Sequence, residues 1–232
     1  MLTVGRDDDG VTLTLARSNR GNALGADLVE ALHAALDDIE RAPAPARVVI
    51  AAEGPHFCNG LDLSDLAHSS DGDLLLRLVR IETLLARLWH APWHTVALAR
   101  GRCWGAGADL FAVCEERIAA PDTSFRFPGA RFGLVLGTRR LAERVGVDAA
   151  RRVVTAGEEW SAATALAHGL VSRIDDAAPA IACAVDRETA AALRAATRPD
   201  HRDTDLAALV RSAARAGLRG RIEHSLAQLR AT

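Results

Sequence analysis

The segment "CWGAGADLFAVC" (Cys103–Cys114) places Gly105, Ala106 and Gly107 directly ahead of an acid, Asp109, and of a helical run of apolar residues. An earlier segment, "HFCNGLDL", has the same design: Gly60 follows a strand-like stretch and precedes an apolar and acidic one. Small residues let a backbone come close to a ligand. A helix start also offers unpaired N–H groups and a partial positive charge. One N–H group from each turn can hold a single carbonyl oxygen as it becomes negative, which is an oxyanion hole. A carboxyl group beside it can move a proton. Asp109 has a second possible role, complementing the dipole of the helix whose first turn it occupies.

These residues need a rigid frame, and the chain supplies one. "VTLTLARS" (Val11–Ser18) alternates as a half-buried strand does, and "ARVVIAAEG" (Ala46–Gly54) and "HTVALARG" read as buried strands. "GADLVEALHAALDDIERA" carries Leu28, Leu32, Leu36 and Ile39 at helical spacing. A second amphipathic helix covers Leu74–Trp89 and stops before Pro92. Asp109–Glu116 is helical by its apolar spacing, and "ERIAAP" and "TSFRFP" read as short strands. From about Leu141 the chain is mostly helical. Strands alternating with helices predict an α/β fold built on a mainly parallel sheet.

The bulk numbers bound the function. With 232 residues, of which 49% are hydrophobic, the chain suits one core domain with a small C-terminal extension. A net charge of −2 offers no basic field for nucleic acid. No apolar run is long enough to span a membrane, and the start does not read as a signal peptide, so a cytoplasmic protein is expected. All 28 basic residues are arginine and there is no tyrosine, which excludes catalysis by lysine or tyrosine. Cys58, Cys103, Cys114 and Cys183 lack C-x-x-C spacing and read as buried small hydrophobes rather than zinc ligands. A nucleotide-binding domain would need G-x-G-x-x-G after the first strand, and it is missing.

In combination the motifs resemble the crotonase, or enoyl-CoA hydratase/isomerase, superfamily, whose members act on acyl-CoA thioesters. The resemblance runs from about Val11 to Ile174. It rests on "RGNAL" (Arg20–Leu24), "HFCNGLDLSDL", "GRCWGAGADLFAVCEERIAA", "FRFPGARFGL", "GTRRLAERVG" and "SAATALAHGLVSRI". It implies a crotonase-like spiral of β-β-α units over 1–174 and a helical C-terminal extension over 175–232 involved in oligomer contacts. It further implies homotrimers or hexamers, and no cofactor beyond the coenzyme A carried by the substrate.

By position, the resemblance makes the backbone N–H groups of Leu61 and Ala106 the oxyanion donors and Asp109 the acid/base. Arg20, Asn22, Gly60, Asp62, Gly105, Gly107 and Gly129 become substrate-binding positions, with Asp62 also open to a loop-fixing role. The family's hydratases hold a water between two glutamates. Here Asp109 stands at the first position, shorter by one methylene, and Gly129 stands at the second, after Pro128. The following turn is about three residues shorter than usual in the family. Hydration would therefore rest on one acid, whereas isomerisation formally needs only one.

Glu53 and His56 are further titratable groups near the first turn. Arg126 and Arg131 flank Gly129 and are candidates for a substrate carboxylate. Arg215, Arg219 and Arg221 are candidates, by charge, for the coenzyme phosphates. Trp104 reads as core, with a wall of the acyl pocket as the alternative. The resemblance thus points to an enoyl-CoA hydratase or isomerase, with decarboxylation or thioester hydrolysis on the same oxyanion hole still open. The rival from another class is a non-catalytic acyl-CoA binder or assembly partner.

Overall fold

A computed structural model describes residues 1–8, 10–42, 47–177 and 185–230. The chain opens with an antiparallel pair, β1 (Leu2–Arg6) and β2 (Gly10–Leu15). The sequence reading had no β1, and its exposure explains why: four of its five residues face solvent, so it carries no alternation. From β2 onward the chain runs α1 (Ala26–Arg41), β3 (Arg47–Ala52), α2 (Asp71–Trp89), β4 (His94–Ala99), β5 (Arg102–Trp104), α3 (Ala106–Ala112), β6 (Glu116–Ala119) and β7 (Ser124–Arg126). Then come α4 (Thr138–Val145), α5 (Val147–Ala156), β8 (Glu159–Ser161), α6 (Ala162–Ala167), β9 (Arg173–Ile174), α7 (Arg187–Thr197), α8 (Arg202–Ala213) and α9 (Leu218–Arg230).

The large sheet has the order β1-β2-β3-β4-β6-β9, and every pair after the first is parallel. Its inner strands are near-continuous apolar runs, as strands covered on both faces must be. A smaller sheet has the order β5-β7-β8, and a parallel bridge from Cys58 to Cys103 adds the first glycine segment to its edge. Three successive passes share one plan. β3 leads through Cys58 to α2, β4 leads through β5 to α3, and β6 leads through β7 and a 3-10 turn (Pro128–Phe132) to α4. This is the expected crotonase-like spiral of β-β-α units. Rings tie the passes together: Phe57 meets Phe111 edge to face at 6.2 Å, and Phe111 lies 5.0 Å from Phe125.

Two apolar clusters result. The main core holds the inner strands, α1, α3 and the buried face of α2. A second cluster joins Leu66, Leu74 and Leu78 to Phe132 and Leu134 and closes over them with Leu209, Leu218 and Ile222 of α8 and α9. The helix read as Leu74–Trp89 starts three residues earlier, because Ser70 and Asp73 form a reciprocal capping box. The adjacent Asp71 carboxylate accepts from the N–H groups of Gly217, Leu218 and Arg219 at 3.1, 3.1 and 2.8 Å and so caps α9 from a distance. Cys58, Cys103 and Cys114 are buried free thiols, as read, while Cys183 lies outside the described residues.

Candidate active site

The two glycine turns are stitched edge to edge. Cys58 N–H donates to Arg102 O at 3.1 Å, Trp104 N–H donates to Cys58 O at 2.9 Å, and Gly105 N–H donates to Arg126 O at 2.7 Å. Gly60 has φ 90° and Gly105 φ 55°, conformations that favour glycine. At Gly60 a side chain is also excluded by space, since a β-carbon would lie 2.8 Å from Trp104 O. That hypothetical carbon falls 3.3 Å from the Ala106 nitrogen, so the second turn's first helical amide borders the first turn directly. On either side of Leu61 the backbone is committed, Gly60 O accepting from Leu24 N–H at 2.7 Å and Asp62 N–H donating to Leu24 O at 3.2 Å. The N–H groups of Leu61 and Ala106 themselves have no acceptor among the described residues.

Both residues line one cavity of about 260 Å³, together with Gly60, Gly105, Asp109 and Gly129. Asp109 is 6% exposed and its carboxyl has no hydrogen-bond partner among the described residues. A β-carbon on Gly137, which precedes α4 with φ 66°, would overlap that carboxyl, so the helix start packs on the acid with bare backbone. Burial pushes the Asp109 pKa well above the usual carboxylate range, and the nearby charge of Glu82 pushes the same way against the pull of Arg140.

Glu82 and Arg140 form a bidentate pair behind the cavity, at 2.5 and 3.1 Å, with side chains 2% and 1% exposed. Arg140 also reaches Asp205 of α8 at 3.2 Å. The Glu82 carboxyl is itself raised by burial, with Arg140 opposing. The sequence reading missed this pair. The available signal was position: Glu82 falls four residues after Leu78 and three before Leu85, on the apolar stripe of α2, where a charge must be paired. Asn59, Thr138 and Leu226 also line the cavity and were not singled out from the sequence.

Arg20, Asn22, Asp62 and Gly107 are not among the described walls of the cavity. Asn22 is fully buried with φ 53°, and its amide is spent on the loop: Oδ1 accepts from Arg17 N–H at 2.8 Å, and Nδ2 donates to Glu53 O at 2.9 Å and His56 O at 2.8 Å. Asp62 accepts from Ser64 N–H at 2.9 Å and pairs with Arg17. Burial raises its carboxyl, but these two partners outweigh burial and hold it below the usual carboxylate range. Gly107 is needed because a β-carbon there would meet Cys58 O at 2.5 Å. Arg20 is exposed at the end of a short turn (Ser18–Arg20).

Trp104 is half-buried and lines the cavity, which replaces the core reading. Two guanidinium groups lie over its ring, Arg102 at 4.7 Å and Arg126 at 5.2 Å from the centroid. Arg126 also approaches Glu159 at 3.6 Å, and Arg131 lies against Gly157. Neither arginine lines the cavity, so neither is placed to take a substrate carboxylate there. Arg221 donates to Phe132 O at 2.9 Å and to Arg215 O and Ala216 O at 2.5 and 2.9 Å, which commits it to holding the α8–α9 turn.

The family model for enoyl-CoA hydratase/isomerase matches residues 8–217. The chain is 32% identical over 193 residues to "Probable enoyl-CoA hydratase echA6" of Mycobacterium leprae, covering 80% of this chain and 76% of the relative. A crystal structure of an enoyl-CoA hydratase/isomerase-type protein from Bordetella parapertussis shares 44% identity and superposes with a TM-score of 0.92 over 98% of each chain. An enoyl-CoA hydratase-type structure from Mycobacterium avium paratuberculosis, at 23% identity and a TM-score of 0.81, shares the fold. The chain belongs to the enoyl-CoA hydratase/isomerase family.

Proposed function

We propose that the protein is an enoyl-CoA hydratase or isomerase working through a thioester enolate, with double-bond isomerisation as its principal reaction. One observation carries the preference: Asp109 is the sole ionisable side chain among the described walls of the cavity. Isomerisation needs a single proton carrier. The Asp109 carboxylate removes a proton from C2 of a 3-enoyl thioester. The C–H electrons move into the thioester, whose oxygen becomes negative and is held by the Leu61 and Ala106 N–H groups. Asp109 then returns the proton to C4, and the double bond is left between C2 and C3. Gly129, in this reading, stands where family hydratases carry their second carboxylate.

Hydration is favoured by a different observation. Asn59 Oδ1 is a buried acceptor without a partner and belongs to a wall residue of the same cavity. A water donating to it would have a fixed place from which to attack. Arg20 is assigned to the coenzyme outside the cavity, and Asn22, Asp62 and Gly107 to holding the turns that bind the thioester. Among the described residues no helix is long and apolar enough to cross a membrane. We further assign the protein to the cytoplasm, as a homotrimer or hexamer in which the extension over 175–232 takes part.

The deciding experiment compares trans-3-hexenoyl-CoA isomerisation with trans-2-hexenoyl-CoA hydration, wild type beside Asp109→Asn. Faster isomerisation, lost in the variant, supports the reading. Equal rates in the two proteins would remove Asp109 from the mechanism. Acyl-CoA binding with neither reaction would leave a non-catalytic binder.

A further inference from the structure

The cavity is the seam between the two apolar clusters. Phe127 and Leu141 face it from the main core, and Leu78, Phe132, Leu134 and Leu226 face it from the second cluster and its margin. Among the described walls the polar side chains are those of Asn59, Trp104, Asp109 and Thr138, and none is cationic. The arginines adjacent in sequence to wall residues are occupied elsewhere: Arg77 with Asp65, Arg126 on Trp104 and Glu159, Arg131 against Gly157, Arg139 with Asp205 and Arg140 with Glu82. A carboxylate on the acyl chain would lose its water here and gain no counter-charge, with a second carboxyl, Asp109, in the same space. A hydrocarbon chain loses nothing on entering and covers leucine surface on both sides.

Leu226 is the one described wall residue that comes from α9, while all the others fall between Asn59 and Val154. It is half-buried and packs on the margin of the second cluster. Its helix is fixed at the start by the Asp71 cap, and Arg221, one turn earlier, is anchored on Phe132 O. We infer that the acyl group is an uncharged hydrocarbon chain and that Leu226 sets how long it can be. This rests on the reading of the cavity as a thioester site and adds the class of acyl group.

The test measures kcat/KM for butenoyl-, hexenoyl-, octenoyl- and dodecenoyl-CoA, and for glutaconyl-CoA beside pentenoyl-CoA. Wild type is compared with Leu226→Ala and Leu226→Phe. Calorimetry with the saturated esters, including glutaryl-CoA beside pentanoyl-CoA, measures binding without turnover. Wild type is expected to prefer pentenoyl- over glutaconyl-CoA by about 100-fold, since a site without a partner for a charge rejects it strongly. Leu226→Ala is expected to move the length preference toward dodecenoyl-CoA, and Leu226→Phe toward butenoyl-CoA, each by about tenfold. Should Leu226→Ala fail to fold, Leu226→Phe and the wild-type charge comparison decide.

A length profile unchanged in the folded variants, or glutaconyl-CoA used as well as pentenoyl-CoA, overturns the inference while the enzyme reading stands. The expected preferences in binding with no turnover of any ester overturn the enzyme reading and leave the inference standing. No binding of any ester overturns both.

Discussion

A β-carbon on Gly105 would lie 3.8 Å from the α-carbon of Gly60, so the two glycine turns touch backbone to backbone. The residue after each glycine, Leu61 and Ala106, lines the same cavity and has an N–H group with no acceptor among the described residues. Donors held this way by a sheet ladder and a helix start need no reorganisation when charge develops in front of them.

Ala106 allows that donor to be removed with little else. It is the first residue of α3, behind the Gly105 cap, and proline is well tolerated at the first position of a helix. Ala106→Pro is expected to keep the wild-type circular dichroism and to melt within a few degrees of it. Its kcat should fall by about 10²–10³, the usual cost of one lost oxyanion donor. A fully active Ala106→Pro would show that this amide binds no developing charge.

Asp109 is costly to the fold. Its folded pKa is raised, by burial first and by Glu82 second, so the stability it takes away is small below its ordinary value of 3.8 and grows as pH rises through the folded pKa. Asp109→Asn is therefore expected to melt a few degrees above wild type at neutral pH, with the gap closing in acid. Over the same rise in pH, wild-type isomerisation should increase as the carboxylate forms. The variant should lose about 10²–10⁴ in rate and the pH dependence with it. Melting curves and pH–rate profiles of the two proteins check both halves.

Gly129 has room for a side chain. Its β-carbon would meet nothing within 4 Å, and its φ is not positive. Gly129→Glu is expected to fold with a stability change of about 0.5 kcal/mol or less. By adding a second carboxyl, it should raise the ratio of hydration to isomerisation by at least about tenfold. An unchanged ratio in a folded variant would mean that position 129 does not reach the attacking water.

His94 supplies a pH signature far from this chemistry. Its Nδ1 lies 3.4 Å from Glu115 and its Nε2 3.3 Å from Glu116, and the Glu115 contact, against burial, holds its pKa above the ordinary 6.5. Burial raises Glu115, but His94 and Arg194 outweigh it and bring the carboxyl down to about 2. The histidine's contribution is fully present below pH 6.5 and is lost as pH rises through its raised pKa. The Glu115 contribution is present above its ordinary 4.5 and is lost as pH falls toward about 2. The pair is therefore most stabilising between those two ordinary values, by on the order of 1 kcal/mol. Denaturant titrations across pH should show a decline on the alkaline side of this window that His94→Gln abolishes.

The glycine turns and the amphipathic helices were legible because their signals are local: positive-φ positions, apolar spacing, a stop at Pro92. The spiral was not legible from periodicity. "CNG" and "RCW" are too short to show alternation, and among the described residues a single bridge, Cys58–Cys103, joins the first glycine segment to the second sheet. That part came from the family resemblance. Arg126 and Arg131 flank Gly129 in sequence, which made them candidates for a substrate carboxylate, yet strand pleat and a 3-10 turn aim them elsewhere. The second apolar cluster was hidden because Leu66, Phe132 and Leu209 meet only after the chain has folded back on itself.

The remote cap that Asp71 places on α9 ties the start of α2 to the helix that brings Leu226 to the cavity. On the proposed reading, an acyl chain that packs on Leu226 is expected to steady that helix. Occupancy should then be readable without any turnover, as slowed deuterium uptake and resistance to protease in the segment from Gly217 onward.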